Sequence, residues 1–114
     1  MAGRKLKIVL KEEAFNFIES LPLSAGDKIF DNLHRIEEGE LNVQLFKKLE
    51  GTEIWEFRTL YNRIAYRLFA FWDTDEGALV IATHGIVKKT QKTPAKEIDK
   101  AEKIRQEHFK SKGK

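Results

Sequence analysis

From Lys5 to Leu10 the chain alternates lysine with Leu6, Ile8 and Leu10, the period-two pattern of a half-buried strand. Between Lys11 and Leu21 the apolar positions move to helical spacing (Ala14, Phe15, Ile18, Leu21), and Pro22 closes that helix. A second helix is predicted from Ser24, where Ser24-x-x-Asp27 has the form of a capping box. Its stripe is Ile29, Phe30, Leu33 and Ile36, and Gly39 is its stop. Phe46–Leu49 reads as a short strand or edge, and Glu50-Gly51-Thr52 as a turn. Two strands follow, Ile54–Thr59 and Arg63–Trp72, joined by Leu60-Tyr61-Asn62 and therefore expected to pair antiparallel. After a turn at Asp73–Gly77 comes a β-branched strand, Ala78–Ile86. Thr93 (N-cap) and Pro94 (first position) then open a last helix with a thin stripe, Ile98, Ala101, Ile104 and His108.

The order β-α-α-β-β-β-α predicts an α+β domain: two N-terminal helices packed on a twisted antiparallel sheet, with a C-terminal helix. That last helix is expected to dock loosely, with frayed final residues. At 114 residues the chain is read as one domain, residues 1–114. Strand alternation puts Trp55, Phe57, Ile64 and Leu68 under the helices. Glu56, Arg58, Arg63 and Arg67 then share an open, wet face.

Charge sharpens that picture. The net charge of +3 conceals 11 Lys/Arg against 14 Asp/Glu in residues 1–87, and 10 against 4 in residues 88–114. A basic C-terminal quarter is either a polyanion-facing patch or a solvated helical tail. With no cysteine, disulfides and thiolate metal sites are excluded, and a reducing cytosol suits the chain. The first ten residues have no apolar signal region, and the longest apolar run, Leu68–Trp72, is too short to span a bilayer. The three histidines are scattered, without the spacing of a metal site, and there is no glycine-rich phosphate loop.

Arginines are rare in interior strands because a buried, unpaired charge is expensive. Arg58, Arg63 and Arg67 therefore read either as an anion site or as a sheet face solvated by cross-strand pairs with Glu56. His84 could move a proton or be a structural hydrogen-bonder. Gly85 suits a bulge or a close backbone approach. Lys88, Lys89 and Lys92 suit phosphate contacts or a solvated turn. Tyr66 and Tyr61 could stack on a base or pack in the core. Glu56 could take a proton from a ribose hydroxyl, or pair with Arg58 or Arg63.

Three motifs occur in order: Trp55-Glu56-Phe57-Arg58, Arg63-x-x-Tyr66, and His84-Gly85-Ile86-x-Lys88-Lys89-x-x-Lys92-Thr93-Pro94. Together they resemble the RelE/HigB superfamily of type II toxin–antitoxin toxins, in particular its phage-derived HigB-like branch. The resemblance covers Lys5 to about Arg105. It implies the fold just described and a cytoplasmic, metal-independent mRNA interferase that needs no cofactor. Such an enzyme cleaves mRNA in the ribosomal A site by attack of the 2′-hydroxyl. It is held by a cognate antitoxin, a helix-turn-helix HigA-like protein. Carried over, Arg63 matches the sheet arginine on the scissile phosphate and Arg58 a second one on the preceding strand. The Lys88–Lys92 loop falls where catalytic side chains lie. Together with the reading of the residues above, the catalytic candidates are Arg58, Arg63, His84, Lys88 and Lys89, with Arg67, Lys92, Tyr66 and Glu56 as candidate RNA contacts. Two departures stand out: Ile54 and Glu56 replace a Lys-x-Lys pair, and the C-terminal region has no matching Tyr or His-Tyr. They keep open a ParE-like toxin acting on DNA gyrase and a non-enzymatic nucleic-acid-binding module.

Overall fold

A computed structural model of the chain describes residues 5–113. The elements are β1 (Lys7–Leu10), α1 (Glu12–Glu19), α2 (Leu23–Glu37), β2 (Phe46–Lys48), β3 (Trp55–Tyr61), β4 (Ile64–Asp73), a 3-10 turn (Thr74–Glu76), β5 (Leu79–Lys88) and α3 (Ala95–Lys112). The five strands form one sheet in the order β1-β5-β4-β3-β2. Four strands pair antiparallel, as expected, whereas β1 joins β5 in parallel at the edge. The α1–α2 hairpin between β1 and the rest supplies the long crossover that a parallel pair needs. The fold is thus the expected α+β arrangement, with a mixed sheet.

Both helix starts differ from expectation: the N-cap of α2 falls two residues before Ser24, and that of α3 one residue after Thr93. Pro22 occupies the N-cap position of α2, with Ser24 inside the first turn and no side-chain cap. Pro94 does the same for α3, so Thr93 lies outside it. Gly39, with φ 107°, follows the end of α2 as the expected stop.

The sheet is covered on both sides. Ala14, Ile18, Ala25, Ile29, Leu33 and Ile36 from α1 and α2 pack on Phe46, Phe57, Tyr66, Leu68, Ala70, Val80 and Ala82. On the reverse face, α3 brings Ala101, Ile98, Ile104 and Phe109 onto Ile54, Phe69, Phe71 and Ile81. The reverse face was expected to be open, and α3 to dock loosely. Instead Phe69 and Phe71 are wholly buried beneath that helix, because a thin stripe suffices once Phe109 extends it. Among the described residues, α3 packs on this face as far as Phe69, and the polar end beyond it opens to a surface groove.

Gly85 is required where it stands. A Cβ built on it would lie 2.4 Å from the Phe17 ring of α1 and 2.7 Å from Leu68 Cδ2. Gly85→Ala is therefore expected to push α1 off the sheet and cost about 1–3 kcal/mol, typical of an overpacked core. Urea denaturation measures it. An unchanged midpoint would mean that Phe17 swings aside freely.

Candidate functional site

The open end of the reverse face is built row by row across the strands. Lys47, Glu56, Phe69 and His84 are register partners in the first row. Arg58, Arg67 and Ile86 form the second, and Leu60, Ala65 and Lys88 the third. A bulge sets the phase of β5: Phe69 pairs with His84 and Ala70 with Ala82, which leaves Thr83 as the extra residue. Without it, the alternation that starts at Ile81 would send Lys88 to the α1–α2 side. With it, Lys88 lies beside the arginines.

Arg58, Ala65, Arg67, Lys88, Lys89, Thr90 and Gln91 line a shallow groove of about 490 Å³. None of these residues is acidic. Among the described residues, Glu56 is the carboxylate that acts on this lining; it is buried, with its Oε1 3.1 Å from Arg67 Nε. That contact is within ion-pair range but is not aligned as a hydrogen bond, so both atoms are buried and unbonded. Arg67 Nη1 donates to the Tyr66 carbonyl at 3.1 Å. Arg58 Nη1 donates to the Val43 carbonyl at 3.3 Å, which orients it along the rim.

Crowded positive charge shows in the ionisation of the lining. Burial lowers the pKa of the Arg67 guanidinium; Glu56 opposes the shift and Arg58 adds to it. Burial also lowers that of Lys88, with Arg67, Arg58 and Lys47 pushing the same way and Glu56 against. An anion entering here would relieve the repulsion that these groups exert on one another. Lys47, which alternation on β2 turns toward Glu56, belongs to this field and was not singled out from the sequence.

The expected site residues divide into three groups. Arg58, Arg67, Lys88 and Lys89 meet in the groove. Lys92 is exposed beyond it, in a loop braced by a 2.8 Å hydrogen bond from Thr90 Oγ1 to the Lys92 carbonyl. Arg63 was placed on the strand and is not in it: Asn62 and Arg63, at φ 54° and 68°, form a tight two-residue turn between β3 and β4. Arg63 is exposed there, at the Leu60–Ala65–Lys88 end of the face, and its neighbour Ile64 is exposed rather than core. Glu56 pairs with Arg67, not with Arg58 or Arg63.

Tyr66 and His84 lie in the interior. Tyr66 is buried in the α1–α2 core, so it offers no ring face to a base. His84 is buried inside β5, which runs two residues beyond the expected Ile86. It stacks on Phe69 with centroids 5.0 Å apart, and its ring nitrogens lie 2.8 Å from Thr83 Oγ1 and 3.0 Å from Glu97 Oε1. A carboxylate only accepts, so Nε2 carries the proton and Nδ1 accepts from the Thr83 hydroxyl. Burial lowers the His84 pKa, against the pull of Glu97. The folded state therefore holds His84 neutral. Stability should be full above the ordinary value of 6.5 and fall as pH drops below it, because the unfolded chain takes up the proton first. A His84→Gln variant should lose that segment of the pH–stability curve; an identical slope near pH 6 in both proteins (about the ordinary histidine range) would refute the assignment.

Among the described residues, no helix is long and apolar enough to cross a membrane. Compared with known families, residues 16–106 match the family described as "Phage derived protein Gp49-like". That match spans the second half of α1, all of α2, the antiparallel strands with their groove, and most of α3. No curated protein matches the chain.

Proposed function

Because the chain belongs to the phage-derived Gp49-like family, which is associated with the toxins of toxin–antitoxin systems, we propose that it is a RelE/HigB-like mRNA interferase. The observation that carries this reading is the acid-free groove of Arg58, Arg67, Lys88 and Lys89 at the polar end of the sheet face on which α3 packs. Guanidinium groups fork onto phosphate oxygens and favour the extra negative charge of a pentacovalent phosphate. The ribose 2′-hydroxyl gives up its proton to water and attacks the adjacent phosphorus, and the 5′-oxygen leaves with a proton from the protein, which gives a 2′,3′-cyclic phosphate and a 5′-hydroxyl. Arg58 and Arg67 hold the phosphate. Lys88, whose pKa burial and then the neighbouring cations lower, serves as the proton donor to the leaving oxygen. Lys89, Lys92 and Arg63 extend the cationic path to flanking phosphates. The chain is read as one toxin domain working in the cytoplasm, with a helix-turn-helix antitoxin as its partner.

Primer extension on a defined mRNA, with and without translating ribosomes, tests this. In-frame cuts that need ribosomes, lost in Arg58→Ala, are expected. Cuts on naked RNA would make the protein a ribosome-independent nuclease. Growth arrest with intact mRNA would move the assignment to a gyrase-directed toxin, which the Ile54 and Glu56 replacements keep in view.

A further inference from the structure

We infer that Glu56 is a built-in stand-in for the substrate phosphate: it holds Arg67 while the groove is empty and gives it up when a polyanion enters. The inference rests on the anion-groove reading above and extends it to how that groove is regulated.

The placement of Glu56 carries the argument. It is the lone carboxylate among Lys47, Arg58, Arg67 and Lys88, and of these five groups it alone favours the charged form of Lys88. Its side chain is 4 % exposed and that of Arg67 9 %. A structural pair at such depth ordinarily compensates desolvation with well-formed hydrogen bonds. Here the Nε–Oε1 contact is unaligned at 3.1 Å, and neither atom has any other partner. The guanidinium thus keeps unused donors next to the groove it lines. A phosphate can offer two oxygens in the fork geometry that Glu56 does not provide. On exchange the guanidinium turns its free donors to the phosphate but stays beside Glu56, so the carboxylate keeps its counter-charge and only the unaligned Nε–Oε1 contact is lost.

Glu56 would then act as a positioning residue with two effects. It keeps Arg67 folded over the sheet instead of extended into solvent. It also opposes every bound phosphate through its own charge, which restrains indiscriminate binding of polyanions and speeds release.

The test uses a short fluorescent oligodeoxynucleotide, which lacks the 2′-hydroxyl and is not cleaved, in anisotropy titrations over a salt series. Glu56→Gln preserves shape and removes the charge. It should bind roughly tenfold tighter at low salt, the gain of one charge-assisted hydrogen bond. Its salt slope should be steeper by about 0.7, one further phosphate contact on a single strand. In an Arg67→Gln background the same change should give much less. If Glu56→Gln binds no tighter, or tightens equally without Arg67, the inference is overturned while the groove reading stands. Unchanged binding with lost cleavage would instead make Glu56 the base for the 2′-hydroxyl. If the wild-type protein does not bind the strand at all, both readings fall. A measurement on the wild-type protein covers the case in which Glu56→Gln misfolds. The Arg67 Nε–H resonance should shift as oligonucleotide is added, and a resonance that stays in place would overturn the exchange.

Discussion

Replacing Arg67 with methionine is expected to destabilise the protein by about 3–5 kcal/mol and to abolish growth arrest when the variant is induced. The stability loss comes less from the missing arginine than from the carboxylate it leaves behind. Glu56 is 3 % exposed and has no hydrogen-bond partner for Oε1, and among the described residues Arg67 is the one cation within ion-pair distance, with Lys47 and Lys88 acting from farther off. Removal of one member of a buried pair leaves an uncompensated charge, whereas replacement of both members is often nearly neutral. The double variant Glu56→Gln/Arg67→Met should therefore recover most of the stability in urea denaturation and none of the toxicity. That split separates the two contributions of Arg67, to the fold and to the phosphate. A double variant that arrests growth as well as the wild type would remove Arg67 from the site. A single variant as stable as the wild type would show that water reaches Glu56.

The register across β3 and β4 explains why Arg67 is singled out over Arg63. Period-two alternation read from the sequence places Glu56, Arg58 and Arg67 on one face, and the pairing of Arg58 with Arg67 agrees. The same reading put Arg63 on the strand, since an Arg-Ile-Ala-Tyr run looks extended. Asn62 is the residue that signals otherwise. Asparagine tolerates positive φ, and a two-residue hairpin turn draws its successor into the same region.

Other features were out of reach because they depend on partners distant in the chain. The parallel pairing of β1 with β5 joins Lys7 to Leu79 and leaves no local trace. The bulge at Thr83 is a property of the pair Phe69–Ala70 against Ala82–His84. It turns His84 inward to Glu97 and brings Lys88 to the arginines, so one extra residue decides which basic group the groove contains. Gly85 was the only local hint of it. The role of α3 was underestimated for a different reason. Its apolar stripe is sparse, and what anchors its end is a buried charge on another element.

That charge is Asp73, and Asp73→Ala should release the C-terminal turns of α3. Asp73 closes β4 and is 1 % exposed. Its carboxylate accepts from His108 Nε2 at 2.7 Å, from Lys112 Nζ at 2.7 Å and from the Asp75 backbone N–H at 3.0 Å. Burial alone would raise its pKa. The bonds from His108 and Lys112 outweigh that and hold it below the ordinary 3.8. Its contribution is therefore fully present above pH 3.8 and is lost as pH falls through the lowered value. The variant should lose roughly 1.5–3 kcal/mol, about one hydrogen bond to a charged group, since His108 and Lys112 are half-exposed and regain water. Hydrogen exchange should show where the loss falls. Amides from Gln106 to Lys112 should exchange faster, while those near Ala101, packed on Phe69 and Phe71, keep their protection. Wild-type protein taken below the lowered pKa of Asp73 should show the same pattern, and Asp73→Ala should show no further acid effect at those amides. If α3 loosened evenly along its length, the apolar stripe rather than Asp73 would be its anchor.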